Sequence, residues 1–228
     1  MTRASAFLAT TATFALIAGP GLGQEAFDLG EIVVSGNLAP VEAGRTGATV
    51  EVIDGEALRR GDAALAATLD RQPGVTYSSA GGPGAAGTLR LRGLDSYYVG
   101  VRIDGIDVAD PAGTQNAFNF GGLTTAGLGR VEVLKGSQSA LYGSEAIAGV
   151  IDISTLGAET LGFSGSVRAE AGSFGTYLGA AGIAHKSDRG EIALNLSRVT
   201  SDGISARAGN DEKDGFTQTT LTFAARHA

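Results

Sequence analysis

The 228-residue sequence contains no cysteine, no tryptophan, 5 prolines, 6% aromatic and only 18% charged residues. Without cysteine there is no disulfide scaffold, no thiolate zinc or iron–sulfur site and no thiol nucleophile. A net charge of -7 lacks the basic surface a nucleic-acid binder needs, so no nucleic-acid partner is expected. HExxH, G-x-S-x-G and P-loop patterns are missing, and His185 and His227 stand without acids or serines at catalytic spacing. No enzyme, cofactor or metal site is expected. After Gly23 no apolar run reaches the roughly 18 residues of a membrane helix.

What is present is glycine, 36 residues without the triplet of collagen, and 43% hydrophobic residues, enough for a core. Phe7 to Ala18 is an apolar run of signal-peptide length behind Arg3, with small residues at Gly21 and Gly23, so residues 1–23 read as an export signal. Residues 24–48 form a polar, Gly-rich arm with one apolar island, Glu31-Ile32-Val33-Val34-Ser35-Gly36. That island can lend a strand to a partner's sheet edge or pair within its own domain; the residues leave both open.

From Thr49 the chain reads as an α+β domain to about residue 157. Thr49 to Ile53 is a strand; Asp54 caps a helix over 56–60, and Asp62 caps a second containing Leu65 and Leu69. Asp104-Gly105 marks a type I′ hairpin, and Val131, Val133, Val150, Ile151 and Ile153 mark further strands. Gly82-Pro83-Gly84-Ala85-Ala86-Gly87 matches a dinucleotide fingerprint literally, but the alternating Thr88 to Arg92 follows where a helix is required, so Ser78 to Gly87 reads as a mobile loop. Arg90 and Arg92 alternate with Leu89 and Leu91 and share one strand face.

Residues 158–228 change period. Alternating segments run approximately Phe163–Ala171, Thr176–His185, Glu191–Val199 and Phe216–Arg226, with Ile192, Leu194 and Leu196 opposing Ala193, Asn195 and Ser197. A soluble antiparallel sheet is what these segments alone favour; behind an export signal, and with so little charge inside them, they are read as strands of an outer-membrane β-barrel. About four strands fit here, too few to close a barrel. Asp202, Asn210, Asp211, Glu212 and Asp214 crowd the last connection, but their spacing fits no EF-hand and reads as a solvated loop.

Several ordered motifs resemble the plug domain of TonB-dependent outer-membrane receptors. They are Asp104 to Pro111, Gly129-Arg130-Val131-Glu132-Val133-Leu134-Lys135-Gly136, Ser139 to Ile153, Leu91-Arg92-Gly93 and Leu69 to Val75. Asp110 to Thr114 with Phe118-Asn119-Phe120 is similar to the cobalamin-receptor-like branch, while Asp152 stands where the family commonly has Asn. The resemblance implies a plug that gates a barrel in the outer membrane, and energy-coupled uptake of a large scarce ligand, a siderophore, cobalamin or similar; since such a plugged barrel takes about 22 strands, it also implies that this chain is the front end of a transporter that does not transport alone. It implies that Glu31, Ile32, Val33, Val34 and Ser35 form the box that adds to the periplasmic partner TonB. It implies outward loops that meet ligand, with Ser78, Ser79, Asp95, Tyr97, Tyr98, Asn116 and Asn119 as contacts, and Arg90 and Arg92 anchoring the plug to the wall. A secreted Gly-rich surface-binding module is the alternative that residue types alone leave standing.

Overall fold

The computed structural model describes residues 32–33, 41–42, 48–113, 115–155, 161–205, 207, 209 and 211–227. The expected export signal, most of the arm and Glu31, Val34 and Ser35 lie outside them. Strand β1 (Ile32–Val33) pairs antiparallel with β2 (Val41–Glu42), Ile32 opposite Glu42 and Val33 opposite Val41.

The α+β domain follows. β3 (Thr49–Asp54) leads into α1 (Gly55–Arg60), where the Asp54 side chain accepts from the Ala57 amide at 2.7 Å, the cap the sequence predicts. α2 (Leu65–Asp70) differs: its N-cap is Ala64, without a side-chain bond, and Asp62 pairs with Arg71 at 2.6 Å. Asp62 sits too early to cap because Leu65 N–H bonds instead to Leu123 O at 3.0 Å, fixing the entry to the helix from a distant segment. β4 (Val75–Ser79) and β5 (Gly87–Leu91) make a two-stranded ladder, so the connecting loop is shorter than the expected one, with Ser78, Ser79 and Gly87 inside strands.

The main sheet takes β6 (Val99–Ile103), β7 (Ile106–Asp107), β8 (Arg130–Lys135) and β9 (Gly149–Ser154) in the order β3-β8-β9-β6-β7. Asp104 and Gly105 turn the β6–β7 hairpin with φ 49° and 81°, as type I′ requires. A four-residue helix α3 (Ser139–Tyr142) lies between β8 and β9.

One face of this sheet carries the core. Leu58, Leu65 and Leu69 from the helices and Leu89 and Leu91 from β5 are fully buried with Val131, Val133, Ile151 and Ile153. The opposite face is mixed: Leu134, Val150 and Ala146 pack with Val50 and Tyr142, but Glu132 lies directly opposite Asp152. Burial lifts the Asp152 carboxyl above the usual carboxylate range; Glu132 and Asp104 add to the effect and Arg102 opposes it. A carboxyl that binds its proton more tightly when folded lowers stability as pH rises from the unfolded value through the raised one. Asp152→Asn is therefore expected to raise the melting temperature at pH 7 by a few degrees. Thermal melts should show that gain shrinking toward pH 3.5; an equal gain at both ends rejects the buried-carboxylate account.

The second sheet is a four-stranded meander, β10 (Gly162–Gly172), β11 (Thr176–Ser187), β12 (Gly190–Ser201) and β13 (Phe216–His227). Each begins and ends within a few residues of the segment the alternation predicts.

Candidate functional site

In the meander, Gly165, Ile183, Leu194 and Phe223 form one cross-strand row, and Val167, Ala181, Leu196 and Leu221 the next on the same face. Val167 is 88% and Phe223 70% exposed. The other face presents Ser166, Gly182, Asn195 and Thr222 in one row and Arg168, Ala180, Ser197 and Thr220 in another, against the α+β domain. This is the inverse of a soluble sheet: apolar out, small and polar in.

The seam between the two sheets is built on small residues. Thr125 to Gly129 face Ser164 to Arg168, Ala180 to Ala184 and Asn195 across a cavity of about 380 Å³. Arg168 crosses it. Its guanidinium donates to Gly61 O at 2.7 Å, Leu58 O at 3.4 Å and Thr125 Oγ1 at 3.1 Å, and pairs with Glu170 at 2.6 Å. Leu58 and Gly61 supply carbonyls from the C-terminal end of α1, where a cation is favoured and the last acceptors lack helical partners. Sequence reasoning missed Arg168. The available signal was a cation on the small-residue face of an alternating segment, where a solvated or lipid-facing side chain has no use for it.

Arg168→Met keeps the length of the side chain and removes its donors. We expect about 2–4 kcal/mol of lost stability, from charged hydrogen bonds in a partly buried seam. Hydrogen exchange should quicken around residues 58–61 and 125, with Arg168→Lys recovering part; unchanged exchange there rejects the latch.

Of the expected ligand contacts, Ser78 and Ser79 lie on β4, Asp95, Tyr97 and Tyr98 at the turn before β6, and Asn116 and Asn119 on the 115–122 segment. Tyr97 and Tyr98 lie in a 3-10 turn (Ser96–Tyr98) with ring centroids 4.2 Å apart, tilted by 50°, and Tyr98 packs on the core. The Tyr97 hydroxyl is raised above the usual phenol value, first by its hydrogen bond with Tyr98 and by repulsion from that phenol once it ionises, then by desolvation and by Asp95. Ser79 Oγ donates to Gly81 O at 3.0 Å, and Ser78 is exposed on β4. Asn116 Nδ2 donates to Glu145 at 2.6 Å. Asn119 Oδ1 accepts from the Gly87 and Gly121 amides, both at 2.9 Å, which ties the β4–β5 loop to the 115–122 segment. Both segments then meet the meander: in the β4–β5 loop Gly84 abuts the Phe216 ring and Gly82 lies beside Ile204 of the long β12–β13 connection, and in the 115–122 segment Gly122 lies beside the Gln218 side chain.

Arg90 and Arg92 are placed differently from each other. Arg90 Nε donates to Asp95 Oδ1 at 2.8 Å within the domain. Arg92 lies beyond the end of β5 at φ 50°, and with Gly93 makes a tight turn closed by Leu94 N–H to Leu91 O at 3.0 Å. The shared strand face read from the alternation ends at Leu91, because Gly93 permits the chain to reverse there. Among the described residues no group of three or more His, Asp or Glu could hold a metal ion, and no helix is long and apolar enough to cross a membrane.

Comparison with known proteins gives consistent results. Residues 42–150 match the TonB-dependent Receptor Plug Domain family. The chain is 34% identical over 150 residues to the Vitamin B12 transporter BtuB of Vibrio vulnificus, covering 65% of this chain and 22% of the relative. The BtuB of Photobacterium profundum is 39% identical over 154 residues, covering 66% and 24%. The chain thus spans less than a quarter of the length of these relatives. The fold matches the ferric yersiniabactin uptake receptor FyuA from Yersinia pestis with a TM-score of 0.62 at 21% identity, covering 82% of this chain and 30% of that one. It also matches a ferric enterobactin receptor from Pseudomonas aeruginosa with a TM-score of 0.52 at 20% identity, covering 67% and 25%. These relatives are transporters and receptors, not enzymes.

Proposed function

This chain carries the plug domain of the TonB-dependent receptors over residues 42–150, followed by antiparallel strands like those that begin their barrel, and from that premise we propose that it is the gating part of an outer-membrane receptor for energy-coupled uptake. The observation that carries the proposal is the inverted second sheet, apolar outward and latched inward to the plug by Arg168. A surface-binding module in water would have to cover that apolar face. A membrane strand must expose it.

The domain plan follows: 1–23 an export signal, 24–48 an arm, 49–157 the plug and 158–228 the first strands of the wall. Likeness to vitamin B12 transporters and to iron-chelate receptors supports a cobalamin or metal-chelate cargo. Cargo would meet Ser78, Ser79, Asp95, Tyr97, Tyr98, Asn116 and Asn119, where the paired tyrosine rings offer flat apolar faces with hydroxyl handles. Arg90 and Arg92 would meet carboxylates of the wall, Arg90 by leaving Asp95. On the other side, residues 31–35 would add as a strand to periplasmic TonB, joined by backbone hydrogen bonds.

The direct test is capture of the full chain by immobilised periplasmic TonB. Retention that is lost when a peptide spanning residues 29–37 is added supports the reading; no retention overturns it.

A further inference from the structure

The outward face of the meander holds one Asp, Glu, Lys or Arg among the described residues of its strands, Arg198. It sits opposite Gly179 and Thr219, one row beyond Leu196 and Leu221, toward the end that carries the long β12–β13 connection. Its partner there is Thr219 Oγ1, at 3.3 Å. The acids of these strands, Glu170 and Glu191, point to the opposite face. Ala169, Ala171 and Gly179 leave a depression beside it, closed at the rim by Tyr177, which is 63% exposed, and by Thr200.

A fixed cation over a floor of small residues, a phenol at its side and apolar rows immediately below match an amphiphile with an anionic head and a hydrocarbon tail. We propose that Arg198 and Tyr177 bind the phosphate of an anionic membrane lipid, whose acyl chain lies along Val167, Leu196 and Leu221. This rests on the reading of the meander as membrane strands. At mid-bilayer a lone guanidinium is costly, but at the interface it can hold a phosphate with two N–H donors, and tyrosine favours the same level. The longer connections of such barrels face outward, which places the site on the external leaflet.

The chain has no tryptophan, so Thr217→Trp puts a single emitter in the row of Tyr177 and Thr200. The full chain carrying it is titrated in neutral detergent micelles with phosphatidic acid, phosphatidylcholine or inorganic phosphate. Phosphatidic acid should shift the emission saturably, and Arg198→Gln should raise the half-saturating mole fraction about tenfold, the loss of one charged hydrogen-bonded contact. Inorganic phosphate should leave the spectrum unchanged, because it brings no tail; a response to it overturns a lipid site. An equal response to phosphatidylcholine, or none to Arg198→Gln, also overturns the site. A chain that stays out of the micelles altogether overturns the membrane-strand reading and the site with it, whereas one that enters without distinguishing headgroups overturns the site alone.

Discussion

Val33→Pro is expected to abolish capture of the chain by TonB, weakening it about a hundredfold, while Val41→Pro leaves capture intact. Proline removes the amide of one residue and fixes its φ near -65°, so the added strand loses a ladder hydrogen bond and its extended geometry; the expected two decades in affinity correspond to about 2.8 kcal/mol. The pairing of β1 with β2 makes the comparison informative. Val33 lies opposite Val41, so the two substitutions fall at one register position of the same short ladder. Only at 33 does proline remove a donor from the strand that a partner sheet would take. A two-stranded sheet leaves each strand a second edge, so TonB can add to β1 beside β2 or in its place. Stronger capture of Val41→Pro than of the unaltered chain would mean that β2 competes with TonB for β1. Loss of capture in both variants would mean that the hairpin as a whole is recognised. Full retention by Val33→Pro rejects residues 31–35 as the coupling segment.

The parts of this molecule that were legible in sequence are those set by local rules. Asp54 caps α1 because its side chain reaches an amide three residues on, and Asp104-Gly105 turns because both accept positive φ. The wall strands were legible because alternation of side chains requires only the strand itself. What escaped was long-range. Asp62 lost its cap role to a backbone bond between Leu65 and Leu123, which no local pattern announces. Arg168 found its acceptors more than a hundred residues away, at Leu58 and Gly61. Asn119 has the composition of a ligand contact, yet its side-chain oxygen holds two loop amides, one of them 32 residues back. A site made from loops on one domain and a wall from another is specified by contacts between segments, and those are the least local information a chain carries.

The same distinction governs Gly149→Val, which is expected to remove a large share of the plug's stability. Gly149 opens β9, with Lys135 of β8 on one side and Val99 of β6 on the other, so both neighbours constrain it. Its φ is 152°, a conformation that residues with a side chain rarely adopt, and a Cβ there would run into the carbonyl oxygen of Leu134 and approach Leu91 Cδ1 to 2.9 Å. Neither can withdraw. Leu134 O belongs to the backbone of a central strand, and Leu91 is fully buried in the core. Strained φ costs of order 1–3 kcal/mol and overpacking a rigid core a similar amount, so together they reach ~4 kcal/mol against a total of ~5–15. Gly136→Ala separates the two contributions: φ there is 110°, but a Cβ meets nothing within 4 Å. It should cost only the backbone strain, ~1–3 kcal/mol, and leave the plug folded. Urea denaturation of the full chain, followed by tyrosine signals near Tyr98 and by exchange of the β8 and β9 amides, gives the comparison. If Gly149→Val loses no more than Gly136→Ala, then β8 can move away from β9 at Leu134, and the sheet is softer than its burial implies.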